Sequence, residues 1–208
     1  MTILALEFSS EQRSVAAARD GRLLAEAAES GGYRVTNAFS LITQVLAKAQ
    51  IARDAIEVLA VGLGPGSYTG IRAAIAIAQG WQLASGIKLL GVSSAEAMAK
   101  EAQAQNLFGE VNVVIDAQRG EFYLATWEIS ETSLRELAPL KIVTRPEMES
   151  RQAAGGIWIG PEQGQKMLPS AAMLTRLAAQ RSDFQPGEKL EPIYLRETTF
   201  VKAPPARH

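Results

Sequence analysis

The sequence predicts an α/β protein of two similar lobes, and three observations carry that prediction. Asp20-Gly21 sits between two extended runs as a hairpin turn, and a glycine-rich loop at Gly62 to Gly70 joins a strand to a helix. Beyond Gly109 a similar order of elements starts again, with a carboxylate closing the first strand of each half. The division falls at residues 1–104 and 105–208, the second half being the more degenerate and residue identity between the halves negligible.

Thr2 to Glu7 reads as a buried strand, Ser14 to Arg19 as a second and Arg22 to Ala28 as a third. After a polar break at Ser30 to Arg34, Thr36 to Gln50 puts Ala38, Leu41, Ile42, Val45 and Ala49 on one helical stripe, widened by Phe39 and Leu46, with Thr36 or Asn37 as cap. Val58 to Gly62 is a strand, and Ile71 to Ser85 a helix with Ile71, Ala74, Ile75 and Ala78 along one face and Ile77, Trp81 and Ala84 on another arc. Lys88 to Val92 and Ser94 to Gln105 complete a β-β-β-α-β-α-β-α order, a hairpin-led sheet with helical crossovers. In the second half come strands at Glu110 to Asp116 and Glu121 to Ile129, extended segments at Leu137 to Val143 and Ile157 to Gly160, and a helix at Ala171 to Arg181. Gln185 to Glu188 and Pro204-Pro205 break structure, and Tyr194 to Arg196 is the last ordered segment.

Composition narrows the chemistry. The 208 residues contain no Cys and one His, His208. Cysteine nucleophiles, disulfides, thiolate metal sites, Ser-His-Asp catalysis and histidine-rich zinc sites are therefore excluded. A formal charge of -1, with 9 basic and 9 acidic residues in the first half and 12 and 13 in the second, argues against independent nucleic-acid binding. The opening Thr2-Ile3 lacks the basic region of a signal peptide, and the longest uncharged stretch, Ala73 to Ile87, is too short and polar to span a bilayer, so a cytoplasmic location is expected.

Three loops and two helix faces hold the candidate functional residues. Gly64, Gly66, Ser67 and Thr69 suit close approach of an anion to a helix N-terminus, and they suit equally a tight strand-to-helix connection; neither a P-loop nor a dinucleotide fingerprint is present. Glu7 and Asp116 each end the first strand of a half, where a carboxylate either holds a cation through water or caps its own turn; capping is the favoured reading for Glu7. Arg119, beside Gly120 and Glu121, reads as half of a solvated ion pair, with an anion contact as the minority reading. The two helices of the first half carry apolar arcs wider than one sheet face needs, which leaves surplus surface for a partner.

The run GPGSYTGIR at Gly64 to Arg72 resembles the TsaB (YeaZ) family, within the actin-like/sugar-kinase/Hsp70 ATPase superfamily. ILALEFSS and SVAAA near the start, GVSSAEAMA at Gly91 to Ala99, VIDAQRGEFY at Val114 to Tyr123 and PIYLR at Pro192 to Arg196 match in family order along nearly the whole chain. Glu7 departs from the usual Asp, and Ala38-Phe39-Ser40 from a usual Leu-Leu-Pro run. The resemblance implies a two-lobed actin-like fold with a duplicated β-β-β-α-β-α unit. It also implies a non-catalytic subunit that pairs with the paralogue TsaD and with TsaE in threonylcarbamoyl transfer to adenine beside the tRNA anticodon. TsaD carries a His-x-x-x-His metal pair where this chain has Ser94 and Met98, so no catalytic cofactor or metal is expected here. Pairing is expected through Phe39, Ile42, Leu46, Ile71, Ala74, Ile75 and Ala78, with a homodimer on the same surface when TsaD is absent, tRNA contact only through the complex, and an adenine nucleotide near the junction. The alternative is a small kinase or ATPase of the same superfamily using Glu7, Asp116 and the Gly64 to Gly70 loop. A metallopeptidase is disfavoured for want of ligands.

Overall fold

The computed structural model describes residues 1–30 and 37–196. The Thr36 cap, most of the Ser30 to Arg34 break, Pro204-Pro205 and His208 lie outside them.

Strands β1 (Thr2–Glu7), β2 (Gln12–Arg19), β3 (Arg22–Ser30), β4 (Val58–Gly62) and β5 (Lys88–Val92) form one sheet in the order β3-β2-β1-β4-β5. The second sheet has the order β10-β9-β6-β7-β8, from β6 (Gly109–Asp116), β7 (Glu121–Ile129), β8 (Leu134–Thr144), β9 (Ile157–Gly160) and β10 (Gln165–Lys166). Read outward from β1 and β6 the two sheets match: an antiparallel meander on one side, parallel strands on the other. The repeat expected from the sequence is thus a repeat of topology, and the whole is a two-lobed α/β fold. Central β1 and β4 read as unbroken apolar runs because both faces of the sheet are covered.

Helix α1 (Ala38–Ala49) is capped by Asn37, whose side chain accepts the Ser40 amide at 3.1 Å, and buries Leu41, Ile42, Val45 and Leu46 against the first sheet. Helix α2 (Tyr68–Ser85) begins one turn before the expected Ile71, because Ser67 caps it by accepting the Gly70 amide at 3.3 Å. Helices α3 (Ser94–Ala104) and α5 (Ala171–Ala178) change sides. Ala95, Met98, Ala99 and Ala102 of α3 pack with Val111, Val113, Ala125 and Trp127 of the second sheet. From the second half, α5 lays Ala171, Leu174 and Ala178 on Ile3, Ala5, Ala60 and Leu90 of the first sheet. Each half of the sequence therefore completes the other half's core.

Helix α4 (Arg145–Ala153) is absent from the pattern expected of the sequence. Its start is nonetheless written in Thr144-Arg145-Pro146-Glu147: the Glu147 carboxylate accepts from the Thr144 amide at 2.8 Å and hydroxyl at 2.9 Å. Only Met148 of this helix is buried, so no apolar stripe marks it. Among the described residues, no helix is long and apolar enough to cross a membrane.

Candidate functional site

A cleft of about 690 Å³ lies between the lobes, where the β1–β2 turn (Ser9, Ser10, Glu11), Arg13 of β2 and the loop and first residues of α2 (Pro65 to Thr69) face the end of β6 and the turn after it (Ile115 to Gln118), Tyr123 and the segment at Pro161 to Pro169. Lys166 on β10 reaches across to Glu11 at 3.0 Å. Both side chains are more than half exposed, so the pair is weak in water.

The glycine-rich loop owes its composition to its own chain. The Ser67 amide donates to the Ser9 carbonyl at 2.6 Å, and a Cβ on Gly66, whose φ is 146°, would come within 2.1 Å of that same oxygen. A Cβ on Gly70 would lie 2.0 Å from the Phe8 carbonyl. The backbone of the loop is pressed onto the end of β1, which is the tight-connection reading, while Pro65, Gly66, Ser67, Tyr68 and Thr69 still line the cleft wall.

Glu7 is fully buried and is not among the residues that line the cleft. Its carboxylate accepts the Ser9 amide at 2.8 Å and the Ser94 hydroxyl at 2.9 Å, while Ser94 Oγ accepts the Gly64 amide at 3.1 Å. Burial pushes the Glu7 carboxyl above the ordinary value of 4.5, and the Ser9 and Ser94 hydrogen bonds only partly oppose it. Gly62 makes room: a Cβ there would lie 2.1 Å from the carboxylate. Glu7 therefore caps its own turn, and the possibility of a cleft cation ligand at this position is withdrawn. Asp116 repeats the cap in the second lobe, accepting the Gln118 amide at 2.8 Å, but stays half-buried on the cleft wall.

Ser94 and Met98 are both buried, the first spent on Glu7 and Gly64, the second in the core of the second lobe. Among the described residues no three acidic or histidine side chains gather as a metal cluster.

Two expectations are corrected. Arg119 stands exposed in the β6–β7 turn away from the cleft lining, and the partner of Glu121 is Arg196 rather than Arg119. Of the seven residues expected to meet a partner, Ile42, Leu46, Ile71, Ala74, Ile75 and Ala78 are buried against the first sheet, and only Phe39, 66 % exposed, faces out. The most apolar stripe of a surface helix is the one its own sheet claims. The outward face is instead Phe39 and Thr43 of α1 with Arg72, Ala76, Gly80 and Leu83 of α2, Leu83 being 90 % exposed. Sequence reasoning does not find Tyr68, Arg13 or Lys166 on the cleft; of the three, only Tyr68 lies within a motif it singles out.

Residues 34–169 match the family model described as TsaD, tRNA N6-adenosine threonylcarbamoyltransferase. The chain is 30 % identical to the tRNA threonylcarbamoyladenosine biosynthesis protein TsaB of Escherichia coli (strain K12), covering 100 % of both chains. It is 28 % identical to TsaB of Bacillus subtilis (strain 168) over 67 % of this chain and 60 % of that one. Among solved structures, YeaZ from Pseudomonas aeruginosa superposes with a TM-score of 0.80 at 26 % identity, covering 93 % of this chain and 99 % of that one. Identity over the full length, the matching two-lobed fold and the family model agree: the chain belongs to the TsaB (YeaZ) family of tRNA threonylcarbamoyladenosine biosynthesis proteins.

Proposed function

We propose that this chain is a non-catalytic subunit that pairs with TsaD and, with TsaE, supports threonylcarbamoyl transfer to the adenine beside the tRNA anticodon. One observation carries the reading: the two places where the resemblance puts the metal-binding histidines of TsaD are filled here by a serine bonded to a buried glutamate and by a core methionine. Neither is free to hold a catalytic metal. The pairing surface is the outward face of α1 and α2, where an almost fully exposed leucine stands beside Ala76 and Gly80, small enough to let another helix approach closely. In the absence of TsaD the same face pairs two copies of the chain. An adenine nucleotide, in this reading, binds at the junction of the complex, because the glycines of the Gly64 to Gly70 loop are occupied by the end of β1. The tRNA is held by the complex, in the cytoplasm.

The kinase or ATPase alternative has the cleft and Asp116 in its favour, but Glu7 is sealed off from that cleft. The deciding experiment mixes the purified chain with its cognate TsaD and TsaE. Co-elution on size exclusion, with threonylcarbamoyl transfer only when TsaD is present, is expected. Separate elution, or ATP turnover by the chain alone, would overturn the proposal.

A further inference from the structure

The segment 185–196, which follows α5, has no role in the reading above, yet it is fastened to both lobes. It begins on the first: the Gln185 amide donates to the Leu89 carbonyl at 3.0 Å, bridging to the outer edge of β5. Next, Gln79 and Gln82 of α2 grip Gly187, one donating to its carbonyl at 2.8 Å and the other accepting its amide at 2.7 Å. Leu190 is buried in the first lobe's core, and the Ile193 amide donates to Leu63 at 2.8 Å. Three residues later the chain has crossed to the second lobe, where Arg196 donates to the Ala117 carbonyl at 2.9 Å, to the Gln118 carbonyl at 3.3 Å and to the Glu121 carboxylate.

Its two end contacts lie behind opposite walls of the cleft. Tyr68, a wall residue of the first lobe, stacks on Tyr194 with ring centroids 5.4 Å apart and planes 21° apart, and Arg72 stands over the Tyr68 ring at 5.2 Å. Ala117 and Gln118, wall residues of the second lobe, are held through their carbonyls by Arg196. A guanidinium shared among two carbonyls and a carboxylate is a directional contact, and its side chain is about two thirds covered, so water screens it less than the exposed Lys166–Glu11 pair at the other side of the mouth.

We infer that residues 185–196 form a latch that sets the opening between the lobes, with Arg196 as its catch: while Arg196 holds the β6–β7 turn the cleft stays at the width seen here, and releasing it lets the second lobe swing away from Tyr68. The latch needs no ligand to be present and no change in either sheet, since it acts where the strap crosses between lobes.

The absence of cysteine gives a clean test. Spin labels are placed on Thr69→Cys and Glu162→Cys, which line the cleft from opposite lobes, and the distance between them is measured by pulsed electron resonance in the full chain. A single narrow distribution is expected with the native latch. Arg196→Ala is expected to broaden it and move it to longer distance by about 2 Å or more, the scale of a domain rearrangement. Glu121→Gln, which removes only the charged partner, is expected to give a smaller shift in the same direction, and Tyr194→Ala to loosen the other end. Lys166→Ala is expected to leave the distribution native. Distributions that superpose on the native one in both Arg196→Ala and Glu121→Gln would overturn the latch, as would an opening by Lys166→Ala equal to that of Arg196→Ala. Should Arg196→Ala fail to fold by circular dichroism, Glu121→Gln and Tyr194→Ala decide alone: a shift in either upholds the latch and none in both overturns it.

Discussion

The Ser94 hydroxyl donates to the buried Glu7 carboxylate at 2.9 Å and accepts the Gly64 amide at 3.1 Å, tying the end of β1, the glycine loop and the start of α3 at one point. Ser94→Ala leaves a buried carboxylate oxygen and the Gly64 amide without their partner. A loss of about 2–3 kcal/mol in urea unfolding is expected. The double change Ser94→His and Met98→His should lower stability further and bind no iron or zinc in calorimetry, because both positions are enclosed by packed core.

Glu7 gives a pH signature. Its folded-state carboxyl lies above the ordinary 4.5 because burial disfavours the charge. A raised carboxyl contributes stability that is fully present below the unfolded value and is lost as pH rises through the folded one. Glu7→Gln should therefore remove a decline in stability on going from acidic to neutral pH. The check is the difference between native and variant unfolding free energies across that range: it should grow in the variant's favour as pH rises, and a flat difference would refute it.

Two glycines should respond oppositely to alanine. Gly66→Ala drives a methyl into the Ser9 carbonyl and should cost about 3 kcal/mol or more, read in urea unfolding. Gly80 lies on the outer side of α2, where an added methyl would meet nothing within 4 Å. Gly80→Ala should gain about 0.5–1 kcal/mol in the same assay through helix propensity.

Leu83→Glu tests the outward helix face. The side chain is 90 % exposed, so the folding free energy should stay within about 0.5 kcal/mol of native, while co-elution with TsaD weakens at least tenfold. Ile75→Glu would be the wrong probe, since that residue is buried in the first core and the change should unfold the chain.

Much of this molecule is legible in its sequence. TILALE announces a central strand, Asp20-Gly21 a hairpin, and the paired carboxylates at Glu7 and Asp116 mark two equivalent turns. The misreadings have physical causes. Periodicity identifies the apolar stripe of α1 and α2, but the same stripe serves a sheet or a partner, and here Ile42, Ile71 and Ala78 went to the sheet. Gly66 and Gly70 look alike whether the close neighbour is a phosphate or the chain's own carbonyl. Glu121 found Arg196 across 75 positions, a distance at which local pattern carries no information.

The crossed placement of α3 and α5 bears on how the chain matures at the ribosome. Ile3, Ala5, Ala60 and Leu90 are made early, but the residues that cover them, Ala171, Leu174 and Ala178, emerge some eighty residues after the last of these strands. Until then one face of the first sheet is bare apolar surface, open to chaperones and to aggregation. The first lobe therefore cannot complete its core until α5 has been made.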